Sequence, residues 1–274
     1  MTRSMPEELT RFYPTGVRNF TRVIPADDAQ GAAGAVLAKR LGVKDAYVFD
    51  SDPRELYDTA LAHAFAQGAR RLGIRVDGPS SPPARDFQSL ARRLRTRGID
   101  AVYVAALDDE RDAEFIRTVR KVNGSLIVIA PDAFLPASNQ VHQIGKEAVG
   151  MYVTGNIVTD PGNQLPPTGQ RFVEEFSATQ ASRNVNFYAP YAAQAAEVLL
   201  HAIARSDGTR ASVTRELFRV RIRDGIFGSF SLDENGDPKS NLFPVFRVTR
   251  AAPEVLYPQD RVVTVISAPS RLIR

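Results

Sequence analysis

Three continuous apolar runs in the first half of the chain predict buried β-strands. They occupy residues 46–49, 101–105 and 126–130, and none of them alternates between apolar and polar positions. Strands that are covered by helices on both faces show this continuous pattern, whereas strands with one face in water alternate. The runs therefore indicate the centre of a helix-covered sheet.

Apolar residues at helical spacing lie between these runs. They predict one helix over residues 30–41, which Gly42 ends, and a second helix from about Arg54. A third begins at Phe87 after a candidate N-cap, Asp86, and a fourth follows the acidic residues 108–110. Strands that alternate with helices through short connections predict an α/β fold with a doubly wound parallel sheet.

The pattern changes after about residue 150. We predict a strand over 150–157, a crossing segment rich in Pro and Gly over 160–167, and helices over 172–180, 191–203 and 212–218. The apolar face of the 191–203 helix has no predicted sheet to cover. We therefore expect the isolated chain to expose apolar surface and to self-associate.

The last predicted strands cover residues 226–232 and 243–248. Between them lies the run 233–237, which contains Asn235 and Gly236, the pair most typical of a tight hairpin turn. The sequence thus predicts a β-hairpin that pairs these two strands.

Composition excludes several classes of protein. Lys and Arg together exceed Asp and Glu by only four, and the 35 basic residues are spread along the chain, unlike the basic stripe of a nucleic-acid-binding protein. The Arg-rich run 92–97 falls in the last turns of a predicted helix, where cations favour the helix dipole. No cysteine is present, and no apolar run is long enough to span a membrane. We expect no nucleic-acid partner and no membrane insertion.

Candidate catalytic and metal sites fail on spacing. The three histidines, His63, His142 and His201, are not paired at the spacing of metal ligands. The run 233–237 imitates the start of a calcium loop, but Pro238 stands where that loop needs Gly. No nucleophile and base can be paired, so we expect no enzyme, no metal and no cofactor.

Loops at the carboxyl ends of the predicted strands remain as the candidate site, because open α/β sheets bind ligands there. Tyr57 follows the first strand and offers a ring face and a hydroxyl, and Asp132 follows the third and offers a carboxylate. Together they suit a zwitterionic or amine-bearing solute. The alternative is structural: Tyr57 covers the sheet, and Asp132 caps a turn.

The order of short motifs resembles the type I periplasmic binding proteins, in particular the substrate-binding proteins of branched-chain amino acid ABC transporters and the related extracellular receptor domains. The matching segments are 20–25, 28–31, Tyr57, 86–87, 100–103, Asp132, 145–152, 225–228 and 233–237. The resemblance implies a non-catalytic protein in which two lobes close on a ligand, and a chain that crosses between the lobes three times.

By this resemblance, residues 20–151 are a complete α/β ligand-binding lobe and residues 152–222 the helical part of the other lobe. Residues 223–250 would be a crossing hairpin that returns to the first-named lobe, and residues 251–274 a C-terminal extension. The sheet that normally precedes residue 20 has no counterpart, so the second lobe is partial. We expect either a fragment of a longer protein or a lobe that has been lost, and in both cases half of a ligand site.

The resemblance also places three site residues. Tyr57 matches an aromatic position that lines the cleft, although Asp58 replaces the usual glycine after it, and Asp132 matches an acidic position that meets the ammonium group of the solute. Leu107 falls where an aromatic residue often lines the cleft.

Two functions remain open at this point. The first is a solute-binding module for an amino-acid-like ligand, which would serve an ABC permease outside the cytoplasm if a signal segment precedes it. The second is a ligand-sensing or protein-interaction domain, which would be cytoplasmic if it is fused to a signalling or transcription-regulatory module.

Overall fold

A computed structural model describes residues 18–155, 165–181, 185–186, 188–239, 242–249, 262–269 and 272. The helices within these ranges are α1 (Asp27–Arg40), α2 (Leu56–Arg71), α3 (Phe87–Thr96), α4 (Glu110–Val122), α5 (Gln140–Gln143), α6 (Pro167–Thr179), α7 (Ala189–Arg205) and α8 (Arg210–Leu217). The strands are β1 (Asp45–Asp50), β2 (Arg75–Ser80), β3 (Ala101–Ala105), β4 (Ile127–Ala130), β5 (Tyr152–Thr154), β6 (Arg221–Gly225), β7 (Gly228–Ser231), β8 (Leu242–Arg247) and β9 (Val262–Ser267).

One seven-stranded sheet organises the larger unit, with the strand order β2-β1-β3-β4-β5-β8-β9. The first five strands are parallel, whereas β8 is antiparallel to both β5 and β9. β1 and β3 pair without a shift, from Ala46 opposite Ala101 to Asp50 opposite Ala105. The predicted α/β fold is confirmed, including the three strands that the apolar runs indicated.

Helices cover both faces of this sheet. α1 and α2 pack on one face over a core that is rich in alanine, and α3 and α4 pack on the other over an aromatic core. In the aromatic core the rings of Phe49 and Phe115 stack with centroids 3.9 Å apart, and Phe87 meets both edge-on. Because both faces are buried, the strands carry the continuous apolar runs seen in the sequence.

α1 and α2 approach each other closely where Gly31 faces α2. A Cβ at position 31 would lie 2.6 Å from the carbonyl oxygen of Leu61 and 2.8 Å from the Cβ of Ala64. Only glycine fits this contact without a shift of one helix. The close approach matters for the site because α1 begins at the carboxyl edge of the sheet.

A second, smaller unit contains α6, α7 and α8 with the antiparallel pair β6 and β7. Its buried apolar residues are Val198, Ala202, Val220 and Ile222. The opposite side of α7 is exposed at Leu199, Leu200 and Ile203. Within the described residues, this side of α7 therefore has apolar surface that no sheet covers.

Two passages of the chain connect the units side by side. The backbone N–H of Arg22, before α1, donates to the carbonyl oxygen of Gly236 at 2.9 Å. The buried guanidinium of Arg22 also pairs with the carboxylate of Asp237. A further passage leaves the large sheet at Gly155, after β5, and continues outside the described residues.

The predicted hairpin between residues 226–232 and 243–248 is wrong. β7 pairs with β6, whereas β8 lies between β5 and β9 in the large sheet. Positive φ angles at Asp224 (54°) and Gly228 (79°) flank the connection between β6 and β7 and allow it to turn tightly. The Asn-Gly signal is real but local: Asp233 Oδ1 accepts from the N–H groups of Asn235 and Asp237 at 2.8 and 3.0 Å. This compact turn redirects the chain without pairing the flanking strands with each other.

Three strands, β2, β6 and β9, were not predicted, and β5 was assigned to the other unit. β2 contains Gly78 and Pro79 and lies at an exposed edge, so it has no apolar run. β9 falls within the predicted C-terminal extension, although residues 250–261 before it lie outside the described residues. β5 belongs to the large sheet, whereas the sequence division placed it with the helical part. Most of the predicted crossing segment 160–167 is not among the described residues.

Gly31→Ala should destabilise the protein by about 1–3 kcal/mol, because the added Cβ overlaps backbone of α2 and forces the helices apart. Chemical denaturation of the two proteins measures this difference. Gly124→Ala is the matched control, since a Cβ there meets nothing closer than 3.9 Å. Equal loss in both variants would contradict the close packing of α1 on α2.

The exposed side of α7 predicts concentration-dependent self-association. Leu200 is 64% exposed, and replacement by Gln removes apolar surface at small cost to the fold. Light scattering at increasing concentration should show larger species for the unchanged chain than for Leu200→Gln. A clean monomer at high concentration would show that this face does not drive association.

Candidate functional site

At the carboxyl edge of the large sheet, two of the three predicted site residues are in contact. The Tyr57 hydroxyl donates to Asp132 Oδ1 at 2.6 Å. Leu107 follows β3 at the same edge and is 40% exposed. The two residues that were chosen for their chemistry are thus in direct contact, although 75 positions separate them in the chain.

Of the two structural roles considered for these residues, only that of Tyr57 is present. Tyr57 is only 7% exposed, and its ring belongs to the core under α1 and α2. Asp132 is the first residue of a short 3-10 turn, Asp132–Phe134, but the N-cap of this turn is Pro131 and no side-chain hydrogen bond caps it. Tyr57 therefore serves the fold, while its hydroxyl meets the Asp132 carboxylate at the edge where open α/β sheets bind ligands.

A second carboxylate, which sequence analysis did not single out, stands beside Asp132. Asp27 is the first residue of α1 and is buried, and its pKa rises to about 7. Burial is the main cause, the charge of Asp132 is the next, and Arg22 opposes both. The acidic first turn of α1 was a signal for this residue, since that turn had to lie at the same edge.

Burial also raises the pKa of Asp132. The hydrogen bond from the Tyr57 hydroxyl acts in the opposite direction, because it stabilises the charged form. Asp28, next to Asp27, has its pKa raised to about 6 by burial, and its Oδ1 accepts from the N–H of Ala29 at 2.7 Å. The edge therefore carries several carboxylates whose charges lack full compensation.

The charge of these carboxylates also contributes to the pKa of two further tyrosines. The Tyr103 hydroxyl is buried, and its pKa lies well above the usual value, first through burial and then through Asp132 and Asp27. Tyr188, just before α7 in the smaller unit, also has its pKa raised by burial and by Asp132.

A separate acidic group lies next to β1. Asp58 is buried, and its Oδ2 accepts from the N–H of Asp52 at 3.1 Å. Burial raises its pKa to about 7, and the charges of Asp112 and Asp50 add to this effect. Asp112 belongs to the capping box of α4 with Asp109. These hydrogen bonds fix the loop after β1 and the start of α4, so Asp58 and Asp112 have a structural role.

Metal and membrane chemistry find no support in the part of the chain that the structure describes. There, no group of three or more His, Asp or Glu side chains is arranged to hold a metal ion. Among the same residues, no helix has the length and apolar character needed to cross a bilayer.

Comparison with known proteins agrees with this geometry. The sequence profile described as periplasmic binding protein matches residues 8–252. No curated protein sequence matches the chain. The leucine binding protein LivK from Thermotoga maritima MSB8 shares 25% identity, with a TM-score of 0.72, over 96% of this chain and 71% of its own.

Two more distant structures share the fold. An ABC transporter substrate-binding protein from Desulfitobacterium hafniense, in complex with Leu, has 20% identity and a TM-score of 0.68 over 89% of this chain and 67% of its own. A solute binding protein from R. palustris, in complex with benzoate, has 16% identity and a TM-score of 0.64 over 90% and 65%. The chain thus spans 65–71% of the length of these three structures.

The buried carboxylates predict a stability that falls as the pH rises. The pKa of Asp58 is raised on folding, so its protonated form stabilises the folded state, and this contribution disappears as the pH passes about 7. Between pH 5.5 and 8 the loss is about 2 kcal/mol for this residue. Thermal unfolding should show a lower Tm at pH 8 than at pH 5.5.

Asp58→Asn should flatten this pH dependence, because the amide keeps the shape and cannot ionise. Glu114→Gln, an exposed position on α4, is the control and should leave the dependence unchanged. A Tm that rises with pH in the unchanged protein would contradict the raised pKa.

Proposed function

This chain belongs to the periplasmic binding protein family, and on that premise we propose that it binds a small ammonium-bearing solute of the amino-acid type between two units that close on it. The family and the neighbouring structures are non-catalytic solute-binding proteins. The contact of Tyr57 with Asp132, beside the buried carboxylate of Asp27, carries the proposal.

An ammonium group would complement the two carboxylates Asp27 and Asp132. Asp27 and Asp132 are both buried, which raises the pKa of each, and the charge of Asp132 raises the pKa of Asp27 further. A bound cation would offset both the burial and the repulsion and would hold both carboxylates ionised. The Tyr57 hydroxyl, which already donates to Asp132, fixes the carboxylate for that contact.

The same charges argue against a purely anionic ligand. The R. palustris neighbour is in complex with benzoate, whereas the D. hafniense neighbour is in complex with Leu, which carries an ammonium group. A benzoate carboxylate beside Asp27 and Asp132 would add a third negative charge in a partly buried place. The edge of the sheet in this chain therefore favours the leucine-like class.

Closure would bring the smaller unit over the bound solute. The passage that contains Arg22 runs against the passage that contains Gly236, which provides a paired connection suited to a hinge. Tyr188, in the smaller unit, has its pKa raised by burial and, to a lesser extent, by the charge of Asp132. Leu107, at the rim, would contact the apolar part of the solute in place of an aromatic ring.

The wider setting follows the same proposal. An extracytoplasmic location and an ABC permease as partner are the expectations for a solute-binding protein of this family. This chain spans 65–71% of the length of the neighbouring structures. We expect the groups that bind the carboxylate of the solute to correspond to the part of those structures that this chain does not match.

Three related probes test the ligand class: L-leucine, isopentylamine, which keeps the ammonium group without the carboxylate, and 4-methylpentanoate, which keeps only the carboxylate. We expect the first two to raise the Tm and to bind in calorimetry, and the third to do neither. A panel of the other amino acids extends the test to different side chains.

Asp132→Asn should weaken the ammonium-bearing probes by at least about tenfold, since a charge-assisted hydrogen bond is lost. Asp100→Asn is the control: Asp100 lies at the opposite edge, where it accepts from the N–H groups of Lys44 and Asp45. Binding of 4-methylpentanoate alone, or no response to any amino acid, would exclude the proposed ligand class.

A further inference from the structure

The amino edge of the large sheet, opposite the candidate site, is strongly basic. We define the basic edge as the last turns of α1–α4 together with the chain that leads from each helix into the next strand, residues 37–45, 68–75, 93–101 and 119–127. These segments contain eleven Lys and Arg residues but only two acidic residues. The whole chain has an excess of only four basic residues, so the fold concentrates positive charge at this edge.

Backbone hydrogen bonds show that the four segments are neighbours. The N–H of Arg75 donates to the carbonyl oxygen of Lys44, and the N–H of Asp100 donates to that of Asp45, both at 2.9 Å. The N–H of Ile127 in turn donates to the carbonyl oxygen of Asp100 at 3.0 Å. The starts of β2, β1, β3 and β4 therefore form one continuous row, and the basic side chains around this row share one surface.

The carboxylates near this row neutralise only a small part of the charge. Asp45 pairs with Arg75, and Asp77 on β2 pairs with Arg97. Asp100 accepts from two backbone N–H groups at 2.9 and 3.0 Å. Eleven basic residues against these three carboxylates leave an excess of eight positive charges. All of the basic residues except Arg120 are exposed, so the excess charge faces solvent.

Helix dipoles explain only part of this pattern. Cations in the last turn of a helix interact favourably with the dipole, and eight of the eleven basic residues lie in the last turns of α1–α4. Lys44 and Arg75, however, lie outside the helices, and the four last turns contain no Asp or Glu. Soluble proteins usually intersperse the two signs of charge on their surface. The basic edge therefore has a positive potential that can attract an anionic partner.

The acidic carboxyl edge lies too far away to cancel this potential. α2 has 16 residues and crosses the sheet from one edge to the other, which places the edges about 24 Å apart at about 1.5 Å per residue. The Debye length at physiological ionic strength is about 8 Å, so the two edges act as separate surfaces. A partner at the basic edge meets mainly positive charge, while Tyr57 and Asp132 remain open at the opposite edge.

The shape of the basic edge suits a flat partner. Each of α1–α4 is followed by three or four residues that lead directly into a strand. Chain that turns back so quickly forms a broad face, without a projecting helix or ribbon of the kind that enters a DNA groove. A membrane surface that carries anionic headgroups has the matching shape and charge.

We propose that the basic edge is a docking surface for anionic lipid headgroups, and that the protein binds a membrane there peripherally, with its carboxyl edge turned away from the lipid. The positive surface does not depend on the proposed function. The choice of lipid over nucleic acid rests on that function, because an extracytoplasmic solute-binding protein works beside a membrane. In this orientation the solute site stays open while the protein remains at the membrane.

Cosedimentation with vesicles tests the docking surface. We expect the unchanged chain to bind phosphatidylcholine vesicles that contain about one third phosphatidylglycerol, and not to bind pure phosphatidylcholine vesicles. Binding should disappear between about 50 and about 500 mM NaCl, because salt screens the charges. Equal binding to both kinds of vesicle, or binding that salt does not weaken, would overturn the proposal.

One variant removes four exposed charges from the basic edge: Lys39→Gln, Lys44→Gln, Arg93→Gln and Lys121→Gln. Each basic side chain at an anionic membrane contributes about fivefold to binding, so this variant should bind at least about twentyfold more weakly even if only two of the four reach the headgroups. The matched control removes four exposed charges from the smaller unit: Arg171→Gln, Arg210→Gln, Arg215→Gln and Arg223→Gln. Equal weakening in both variants would show attraction by net charge alone and would overturn the proposal.

A single label reports the orientation, because the chain has no cysteine and an introduced thiol is unique. Thr96→Cys places an environment-sensitive dye at the basic edge, and Glu110→Cys places it at the start of α4, at the carboxyl edge; both positions are exposed. Binding to the anionic vesicles should change the emission of the dye at position 96 and not at position 110. The opposite result would contradict the proposal, and this comparison decides even if the variant with four substitutions does not fold.

Duplex DNA at the same phosphate concentration and the same salt is the competing anion. Tighter binding to DNA than to the anionic vesicles would assign the basic edge to nucleic acid and overturn the choice of lipid. None of these measurements uses a solute. Failure of L-leucine to bind would therefore count against the proposed function, whereas failure to bind the anionic vesicles would count against the docking surface.

Discussion

The common direction of five strands determines where charge gathers in this protein. Parallel strands end at one edge, and the helices that pack antiparallel to them begin at that edge, so acidic first turns converge there. The basic last turns, such as Arg70 with Arg71 and Arg120 with Lys121, converge at the opposite edge. Tyr57 and Asp132 meet because of this arrangement and not because they are close in sequence.

This arrangement is unfavourable for stability, because it buries several carboxyl groups. Asp27, Asp58 and Asp112 each have a pKa raised to between about 6 and about 7, chiefly by burial. Asp58 and Asp112 recover part of the cost through hydrogen bonds that shape loops. Asp27 and Asp132 lie instead at the carboxyl edge of the sheet, where Asp132 accepts from the Tyr57 hydroxyl.

The sequence predicted the structure correctly where a continuous apolar run marked a buried strand. Continuous apolar runs located β1, β3 and β4, and the chemistry of Tyr57 and Asp132 selected two side chains that are in contact at the edge of the sheet. Edge strand β2, with its glycine and proline, has no such run, and the partner of β7 depended on two positive φ angles that local turn signals do not specify. The burial of Gln30 was not predicted, because its amide donates to Thr154, which lies 124 positions away in the chain.

The ion pair of Arg22 and Asp237 joins two passages that run in sequence-distant parts of the chain. With the backbone contact at Gly236, it prevents these passages from sliding along each other, and the space there is so tight that a Cβ on Gly236 would lie 2.6 Å from the carbonyl oxygen of Phe20. Sliding of one unit along the other would have to break these contacts, whereas rotation about the joined passages would keep them.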